Sequence, residues 1–558
     1  MSFPCWVKGQ ITSAQIKANF GVDAELRANY FEKTSSNGSD DWFSLSAAGA
    51  LGKGIIDTTG AAAMVDRYAT DVNFRKLPFY RTMSYPAYSV VNNRLLIDAV
   101  FIRDYHGEDS TVFGGGNKNG RSPQFWVTPV SQSIPDKNEI LDMMVHVRRQ
   151  GPNKTDSLWM IGGLSIENTS GNRYFDFEMY QTDIYYDRST LKFYNYGPEA
   201  GHTSWTFNTA GEVTKPGDII FTAEYSSSEL SNLEARIWVH KSALNITPAG
   251  FLWGGSFEGE SNSSEYGYAN IKPLTAGAFY SGLQNGAKTW AGAFKLVLGS
   301  NAVVDDYSRG QFMEFSVNLT KLGLDPVTLL GGSECGMPFR RVLVKTRSSV
   351  SFSSELKDFV GPFDFFLPER STAAATVPIF CAGTDGVSEI NVLDPSPTSI
   401  YTWTTYDGNI VGTNIGPDIT VDTPGTYIVS QQLQAGCSTY SEDTVTVLAD
   451  PQCALLNEGT RNHGSIKPRT DQKPGIIVQP NPVNLDSKLL ITVGYTGKVF
   501  IRMIDMWGRI QSNTTASVVR GTNTLRINQL SRFSRGIYYV QVLDQYMRPI
   551  GVQRIVVH

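Results

Sequence analysis

Short strand-like runs, rich in apolar residues in the N-terminal part and alternating between apolar and polar residues near the C-terminus, extend along almost the whole chain. In the N-terminal part such runs occur at 95–102, 143–147, 158–162, 218–223 and 235–240. Gly, Asn, Pro and Asp residues separate them. Period-two patterning between turn residues predicts β-strands, and runs with a helical period are few. The pattern therefore predicts an all-β protein whose head domain, over residues 16–370, is a jelly-roll-like sandwich.

A second group of strand-like runs lies at 376–450 and contains two cysteines. Trp403 stands between Cys381 and Cys437. This order favours an Ig-like sandwich with a buried tryptophan near a disulfide. The segment resembles the Ig-like and PKD-like modules of Bacteroidetes surface proteins, which implies a spacer. We expect Cys381 and Cys437 to form a disulfide, which is typical of proteins outside the cytoplasm.

Two further cysteines, Cys335 and Cys453, flank this module. A second bridge between them is one possibility. Four cysteines allow three pairings, and the sequence does not choose among them.

A last set of alternating runs fills residues 475–558, after a polar linker at 451–474. The runs lie at 489–493, 499–505, 525–530, 536–542 and 553–557. A glycine-containing turn at 506–509 follows the second run, as in a β-hairpin. The pattern therefore predicts a small antiparallel β-sandwich for this region.

Five features of this last region appear in the order found in the type A sorting domains of the Bacteroidetes type IX secretion system, which the region resembles. They are the opening Pro480-Asn481-Pro482, the turn Asp505-x-x-Gly508-Arg509, the L-x-I-x-x-L element at 525–530, the strand from Gly536 with Tyr538 and Val540, and the final strand with Arg554 and Val556. The named positions are interpreted as a sorting signal.

The resemblance implies a route of export. Proteins with such a domain reach the periplasm, cross the outer membrane with the type IX translocon and its outer-membrane shuttle protein, and usually lose the domain to a cell-surface sortase. Residues 1–15 lack the apolar stretch of a signal peptide. We therefore expect them to be a remnant of the export region, with the true start and signal upstream. The expected location is the outer cell surface or the medium.

Charge distinguishes the last region from the rest of the chain. From Pro474 onward it has ten basic and three acidic side chains, a net charge of +7, whereas the whole chain carries −5, which leaves −12 for the rest. The basic residues are spread over several runs without a stacking motif, so we expect no nucleic-acid partner. Attraction to an acidic receptor surface is the simpler account. No stretch of the sequence is long and apolar enough to predict a transmembrane segment.

The head domain carries a second, looser resemblance. Two pairs of segments resemble sequences that recur in large flavobacterial cell-surface proteins associated with adhesion or gliding motility. They are 103–110 with 117–120, and 344–349 with 356–359. These proteins share the sorting domain. The resemblance brings no catalytic residues with it.

Candidate chemistry in the head domain centres on one strand-like run, 174–179. Asp176 and Glu178 lie two residues apart, so both carboxylates are expected on one strand face. Glycoside hydrolases of the concanavalin type need a further carboxylate two positions earlier, but Tyr174 occupies that position. We therefore predict no catalytic residues here, and the favoured interpretation of the two carboxylates is a solvated or hydrogen-bonded strand face. Contact with a sugar or with Ca²⁺ is the remaining functional interpretation for Asp176 and Glu178, and no other cofactor or metal site is expected.

Two classes of function follow from these observations. The favoured one is a non-enzymatic adhesin or structural protein exported by the type IX system, with a possible carbohydrate ligand for its head. The alternative is a secreted polysaccharide-active enzyme whose acid and base are distant in sequence. Core positions are expected for most of the tryptophans in loop-like contexts, but stacking on sugars remains open for them: Trp126, Trp205, Trp253 and Trp290.

Overall fold

The structure of the protein is a computed structural model. It divides the chain into two compact units, Met1–Ala454 and Leu455–His558. It describes residues 14–32, 34–35, 38–45, 51–105, 111–129, 133–182, 184–226, 229–275, 279–329, 339–365, 372–380, 387–393, 395–397, 399–433, 441–449, 475–479, 488–493, 496–505, 510–526, 536–543 and 549–557.

The head domain is built from strands with little helix. Its strands are β1 (Gln15–Lys17), β2 (Phe20–Val22), β3 (Tyr30–Phe31), β4 (Thr34–Ser35), β5 (Phe79–Thr82), β6 (Val90–Val91), β7 (Arg94–Arg103), β8 (Ile140–Arg149), β9 (Leu158–Ile166), β10 (Arg173–Tyr180), β11 (Ile184–Asp187), β12 (Lys192–Asn195), β13 (Thr206–Phe207), β14 (Val213–Lys215), β15 (Ile219–Tyr225), β16 (Leu230–His240), β17 (Phe251–Glu258), β18 (Tyr266–Pro273), β19 (Tyr280–Gln284), β20 (Thr289–Trp290), β21 (Leu296–Val297), β22 (Val303–Val304), β23 (Asp306–Tyr307), β24 (Phe312–Asn318), β25 (Arg341–Arg347) and β26 (Leu356–Asp364). Its helices are α1 (Ala61–Thr70), α2 (Pro326–Leu329) and 3₁₀ turns at Phe74–Lys76, Pro123–Phe125, Asp136–Asn138 and Lys241–Asn245.

Two antiparallel seven-stranded sheets form the sandwich of the head domain. The front sheet has the order β17-β18-β16-β15-β10-β25-β26. The back sheet has the order β19-β24-β9-β8-β7-β5, and β6 also pairs with β7. The chain passes from one sheet to the other between β9 and β10, between β18 and β19, and between β24 and β25.

Alternation along β10 shows how the sequence places its residues. Phe175, Phe177 and Met179 point into the main hydrophobic core together with residues of β8, β9 and β24. The intervening residues, among them Asp176 and Glu178, therefore project from the outer face of the front sheet. All of β10 is nevertheless buried, because other segments of the head domain cover this outer face.

The outer face of the back sheet is covered as well. A second hydrophobic cluster joins Phe20, Trp42 and Phe43 of the N-terminal segment to Phe101 and Phe312 of the sheet. Strand β8 lies between the two clusters and is buried along its whole length. A strand covered on both faces carries mostly apolar residues, and six of the ten residues of β8 are apolar. Its buried charges, Asp142, Arg148 and Arg149, have ion-pair partners inside the domain.

The Ig-like module consists of two four-stranded sheets. Its strands are β27 (Thr372–Ala375), β28 (Ile379–Phe380), β29 (Ser388–Leu393), β30 (Ser399–Thr405), β31 (Asn409–Val411), β32 (Asp418–Thr423), β33 (Gly425–Leu433) and β34 (Ser441–Ala449). The sheets have the orders β27-β29-β32-β31 and β28-β34-β33-β30. Trp403 is fully buried in the shared core, and its indole Nε1–H donates to the Gly416 carbonyl oxygen at 2.9 Å. Cys381, Cys437, Cys335 and Cys453 lie outside the described residues.

The second compact unit is also a sandwich. Its strands are β35 (Gly475–Gln479), β36 (Lys488–Val493), β37 (Gly497–Asp505), β38 (Ile510–Val518), β39 (Gly521–Arg526), β40 (Gly536–Leu543) and β41 (Pro549–Val557). The sheets have the orders β35-β36-β39 and β38-β37-β40-β41, and one hydrophobic core joins them. The prediction of an all-β chain of sandwiches is thereby confirmed. Among the helices of the described ranges, none has the length and apolar character needed to cross a membrane.

Candidate functional site

Glu178 is held by two donors beneath the surface of the head domain. The Lys345 Nζ of neighbouring strand β25 donates to Glu178 Oε2, and the Tyr268 hydroxyl of β18 donates to Oε1 at 2.5 Å. The side chains of Glu178 and Lys345 are completely buried. Burial alone raises the pKa of Glu178, but the positive charge of Lys345 outweighs it, so the pKa is held below its usual range. Glu178 is therefore an ionised partner of Lys345.

An imidazole lies next to this pair. The His202 ring is stacked between Trp238, with ring centroids 4.0 Å apart, and Tyr180, at 5.5 Å. Its Nδ1 lies 3.2 Å from Asp218 Oδ2 and 3.9 Å from Glu178 Oε1. Burial raises the pKa of Asp218, and the contact with His202 offsets part of that rise. His202 thus bridges two buried carboxyl groups.

Asp176 has its own set of partners on the same face. Its Oδ2 lies 2.7 Å from Arg347 Nε and accepts from Asn119 Nδ2 at 2.7 Å. Its Oδ1 accepts from the Thr222 hydroxyl at 2.8 Å. The carboxylate is fully buried, and Asn119 belongs to a loop that is distant in sequence from β10. The charge of Asp176 is therefore balanced inside the domain.

We call the linked side chains of this face the buried charge network; its members are Asp176, Glu178, His202, Asp218, Tyr268, Lys345 and Arg347. As predicted, Asp176 and Glu178 share one strand face, because both alternate with the core residues of β10. Their oxygens already accept from internal donors, which a sugar or Ca²⁺ would have to displace. The part of the chain that the structure describes contains no group of three or more His, Cys, Asp and Glu side chains able to hold a metal ion.

A second group of carboxylates fastens the N-terminal segment to the back sheet. Glu314 of β24 is fully buried; its Oε2 accepts from the backbone N–H groups of Asp23 and Ala24 at 3.0 and 2.9 Å, and its Oε1 accepts from Trp42 Nε1 at 2.7 Å. Asp41 is buried as well, and Glu25 forms an ion pair with a neighbouring arginine. We call Asp23, Glu25, Asp41 and Glu314 the acidic cluster.

The acidic cluster holds its protons more strongly than ordinary carboxyl groups do. Burial raises the pKa of Asp23 to about 6 and that of Glu25 to about 7. Burial and then repulsion from the other carboxylates raise the pKa of Asp41 and of Glu314 well above the usual range. The attachment of the N-terminal segment is consequently coupled to pH.

A polar cleft of about 470 Å³ opens beside the 3₁₀ turn Lys241–Asn245, lined by His240, Ser242, Asn245, Ser264 and Glu265 among others. The Ser242 hydroxyl lies 2.7 Å from His240 Nδ1, and the same nitrogen accepts from the Ser242 backbone N–H at 3.2 Å. This arrangement caps the turn, so the His240 nitrogen has a structural partner.

The tryptophans of loop-like contexts fall into two groups. Trp126 and Trp205 are buried, with 4% and 1% of their surface exposed, so sugar stacking is wrong for these two and the core position is confirmed. Trp253 and Trp290 are half-buried against hydrophobic clusters. Three other aromatic rings are exposed together at the hairpin β11–β12.

That hairpin presents three tyrosines to solvent. Tyr185 of β11 faces Tyr194 of β12 directly in the strand register, with ring centroids 4.8 Å apart and planes inclined by 13°. The Tyr196 ring also contacts the Tyr185 ring, with centroids 6.3 Å apart and planes inclined by 27°. Tyr185 is 38%, Tyr194 36% and Tyr196 61% exposed. We call these residues the tyrosine stack; the alternation Lys192-Phe193-Tyr194-Asn195-Tyr196 is the signal in the sequence that predicts it.

The residues that the sequence predicts as a sorting signal are only partly described. Tyr538 and Val540 are buried in the core of the second unit, and Arg554 is exposed on β41. Gly536, Asp505 and Val556 lie in strands, where Gly536 pairs with Val557 and Asp505 pairs with Tyr538. The remaining predicted positions lie outside the described residues: Pro480, Asn481, Pro482, Gly508 and Arg509.

The last strand is joined to both sheets of this unit. Ile555 and Val557 of β41 belong to the core. Gln553 Oε1 accepts from the Val478 backbone N–H of β35 at 2.5 Å, and Gln553 Nε2 donates to the Val478 carbonyl at 3.4 Å. Strand β41 therefore completes one sheet and is linked to the other.

No protein-family model matches the chain, and no curated protein matches it either. Among solved structures, the Yersinia pseudotuberculosis adhesin InvE is similar at 13% identity and a TM-score of 0.12, over 33% of this chain and 58% of that one. The BSP domain of a biofilm-associated protein is similar at 10% identity and a TM-score of 0.14, over 84% of this chain and 75% of that one.

A third similar structure is PorZ of Porphyromonas gingivalis, described as an essential bacterial surface component of the type-IX secretion system. It is 10% identical, with a TM-score of 0.12, over 82% of this chain and 50% of that one. The chain thus spans 58% of InvE and half of PorZ. TM-scores at this level carry no argument about function.

Proposed function

We propose that the chain is a non-enzymatic adhesin or structural protein of the cell surface or medium, and that its last unit is a type IX sorting domain. The observation that carries the proposal is the construction of that unit. It is a separate compact body, and β41, at the end of the sequence given, contributes Ile555 and Val557 to the core and Gln553 to the link between the sheets. A receptor that reads a folded surface together with a final strand needs this arrangement.

Charge supports the same assignment. The region from Pro474 onward carries +7, against −12 for the rest of the chain. Arg554 is exposed on the edge strand of its sheet. A basic folded module favours an acidic receptor surface over a nucleic acid when its charges are spread over several strands. The partners proposed for it are the type IX translocon, its outer-membrane shuttle protein and the cell-surface sortase.

The head domain is proposed to act without catalysis. Its most prominent carboxylates, Asp176 and Glu178, lie beneath the surface and have Lys345 and Arg347 as partners. A hydrolase needs two carboxyl groups in an open cleft, where substrate and water reach them. The buried charge network instead joins strands β10, β18 and β25 to the segments that carry His202 and Asp218, and it favours a stabilising role.

A fusion experiment tests the export proposal. Residues 475–558 are attached behind a reporter that carries its own periplasmic signal, in a host with a type IX system. The expected result is a reporter at the cell surface or in the medium. The matched control carries the same fusion truncated after residue 548, which removes β41 and should stay in the periplasm. If the fusion with residues 475–558 stays in the periplasm while the complete protein is exported, the sorting signal lies outside these residues.

A further inference from the structure

One face of hairpin β11–β12 packs against the head domain. Its inner face carries Tyr186 and Phe193, which belong to an aromatic cluster of the head domain. Phe193 lies 5.1 Å from Trp126 and 4.9 Å from Phe359, and Tyr186 lies 4.9 Å from Phe359, between ring centroids. A hairpin packed in this way presents its outer residues in a fixed arrangement.

The outer face of the hairpin is aromatic where a solvated strand normally carries charged groups. In the tyrosine stack the Tyr185 ring contacts the rings of both Tyr194 and Tyr196. The outermost ring, Tyr196, is 61% exposed. Burial, together with the hydroxyl of Tyr196, raises the pKa of Tyr185 to about 12, so the Tyr185 hydroxyl stays protonated and remains a hydrogen-bond donor at neutral pH. Clustered exposed aromatic residues on a soluble protein mark a contact surface.

The charges on this face define the class of partner. Asp187 and Lys192 face each other in the strand register, so one acidic and one basic group balance. A nucleic acid stacks on aromatic rings only where a basic groove follows its backbone, and this face has none among its described residues. The net charge of −12 outside the last region also repels anionic polymers. The complementary partner is uncharged, with apolar faces and many hydroxyl groups.

We propose that the tyrosine stack is a binding surface for a neutral polysaccharide. A pyranose ring has an apolar C–H face that packs on an aromatic ring and hydroxyl groups that pair with tyrosine hydroxyls. Tyr196 supplies the exposed ring face, and Tyr185 and Tyr194 support it and extend the row of hydroxyls. The proposal rests on the proposed function, because a protein at the cell surface or in the medium meets such a polymer there. Binding is measured with purified protein, so its test does not depend on export.

Affinity electrophoresis and calorimetry of the purified full-length chain test the surface. The probes are a soluble β-glucan, a mannan, a xylan and a galactan, with alginate as the anionic probe. We expect at least one neutral polymer to bind and the Tyr196→Ser variant to bind it about fivefold more weakly, since aromatic packing of this kind contributes on the order of 1 kcal/mol. The Tyr196→Phe variant keeps the ring and should keep most of the affinity.

The matched control is Tyr80→Ser, because Tyr80 is 54% exposed on β5 of the back sheet, away from the hairpin in the strand order. It should leave binding unchanged, and all variants should keep the wild-type melting temperature. Three results would overturn the proposal: no neutral polymer binds, Tyr196→Ser binds as tightly as wild type, or alginate alone binds. Sedimentation showing a dimer that Tyr196→Ser abolishes would make a second copy the occupant and would equally refute it. None of these results bears on export, which the fusion experiment measures separately.

Discussion

Replacement of Lys345 by methionine is the sharpest test of the buried charge network. Methionine fills most of the space of the lysine chain, whose Nζ lies 4.6 Å from the centre of the Trp126 ring, so packing is largely kept. The change leaves the buried carboxylate of Glu178 without its cation. Removing one partner of a buried ion pair costs about 3–5 kcal/mol, because the remaining charge is uncompensated. We expect a loss of that size for Lys345→Met.

Two further variants separate charge from packing. Lys357 of the adjacent strand β26 forms a 3.0 Å ion pair with Glu355, but the Glu355 side chain is 48% exposed. Lys357→Met should therefore cost at most about 1 kcal/mol. In the double variant Glu178→Met/Lys345→Met no charge is left unpaired, so most of the lost stability should return. The Tyr268 hydroxyl then lacks its acceptor, which keeps a cost of about 1–3 kcal/mol.

Urea unfolding of the full-length variants, followed by tryptophan fluorescence, measures these differences. Trp238 stacks on His202 of the network and reports its loss. Hydrogen exchange of the amides of β10 assigns the change to the head domain. The account fails if Lys345→Met costs no more than Lys357→Met, since the pair would then contribute nothing beyond an exposed one. It also fails if the double variant is less stable than Lys345→Met alone.

Three other predictions follow from the structure. The pKa values of Asp23 and Glu25 are raised in the folded state, so this state binds more protons than the unfolded chain, and its free energy of unfolding should fall as pH rises from about 4 to about 7. Asp41→Asn should weaken that dependence, whereas increased stability over this range in urea titrations would contradict it. Removal of β41 from the complete protein should abolish export, as measured by cell fractionation, and surface display of the truncated chain would refute this. Non-reducing peptide mapping should link Cys381 to Cys437, and the bridge should contribute about 2–4 kcal/mol to the Ig-like module; free thiols in exported protein would disprove it.

Patterning within single strands was enough to predict part of this structure. Alternation placed Asp176 and Glu178 on one face of β10 because side chains of a strand alternate whatever surrounds it. The same period predicted the sandwiches and the core position of Trp403. Short-range pattern is set by the strand itself, so it is visible in the sequence.

Burial of the charged face was not predictable in the same way. The partners of β10 come from far along the chain: Asn119 from a loop, His202 from a segment after β12, and Lys345 from β25. Only the folded chain brings these partners together. They cover the two carboxylates, which the pattern of the strand alone would leave on a solvent-exposed face. The tyrosine stack was not predicted from the sequence for a different reason. The candidates for sugar stacking were tryptophans in loop-like contexts, whereas the stack lies at the outward positions of a short hairpin, and these are tyrosines.

The location of the complete protein in cells with and without a type IX translocon tests the central claim most directly. The protein is expressed in a type IX host and in a strain that lacks the translocon, and protease added to intact cells measures exposure at the surface, together with assay of the medium. The account predicts that the protein is accessible or released in the first strain and retained in the periplasm of the second. Equal exposure in both strains would contradict the assignment of residues 475–558 as a sorting domain.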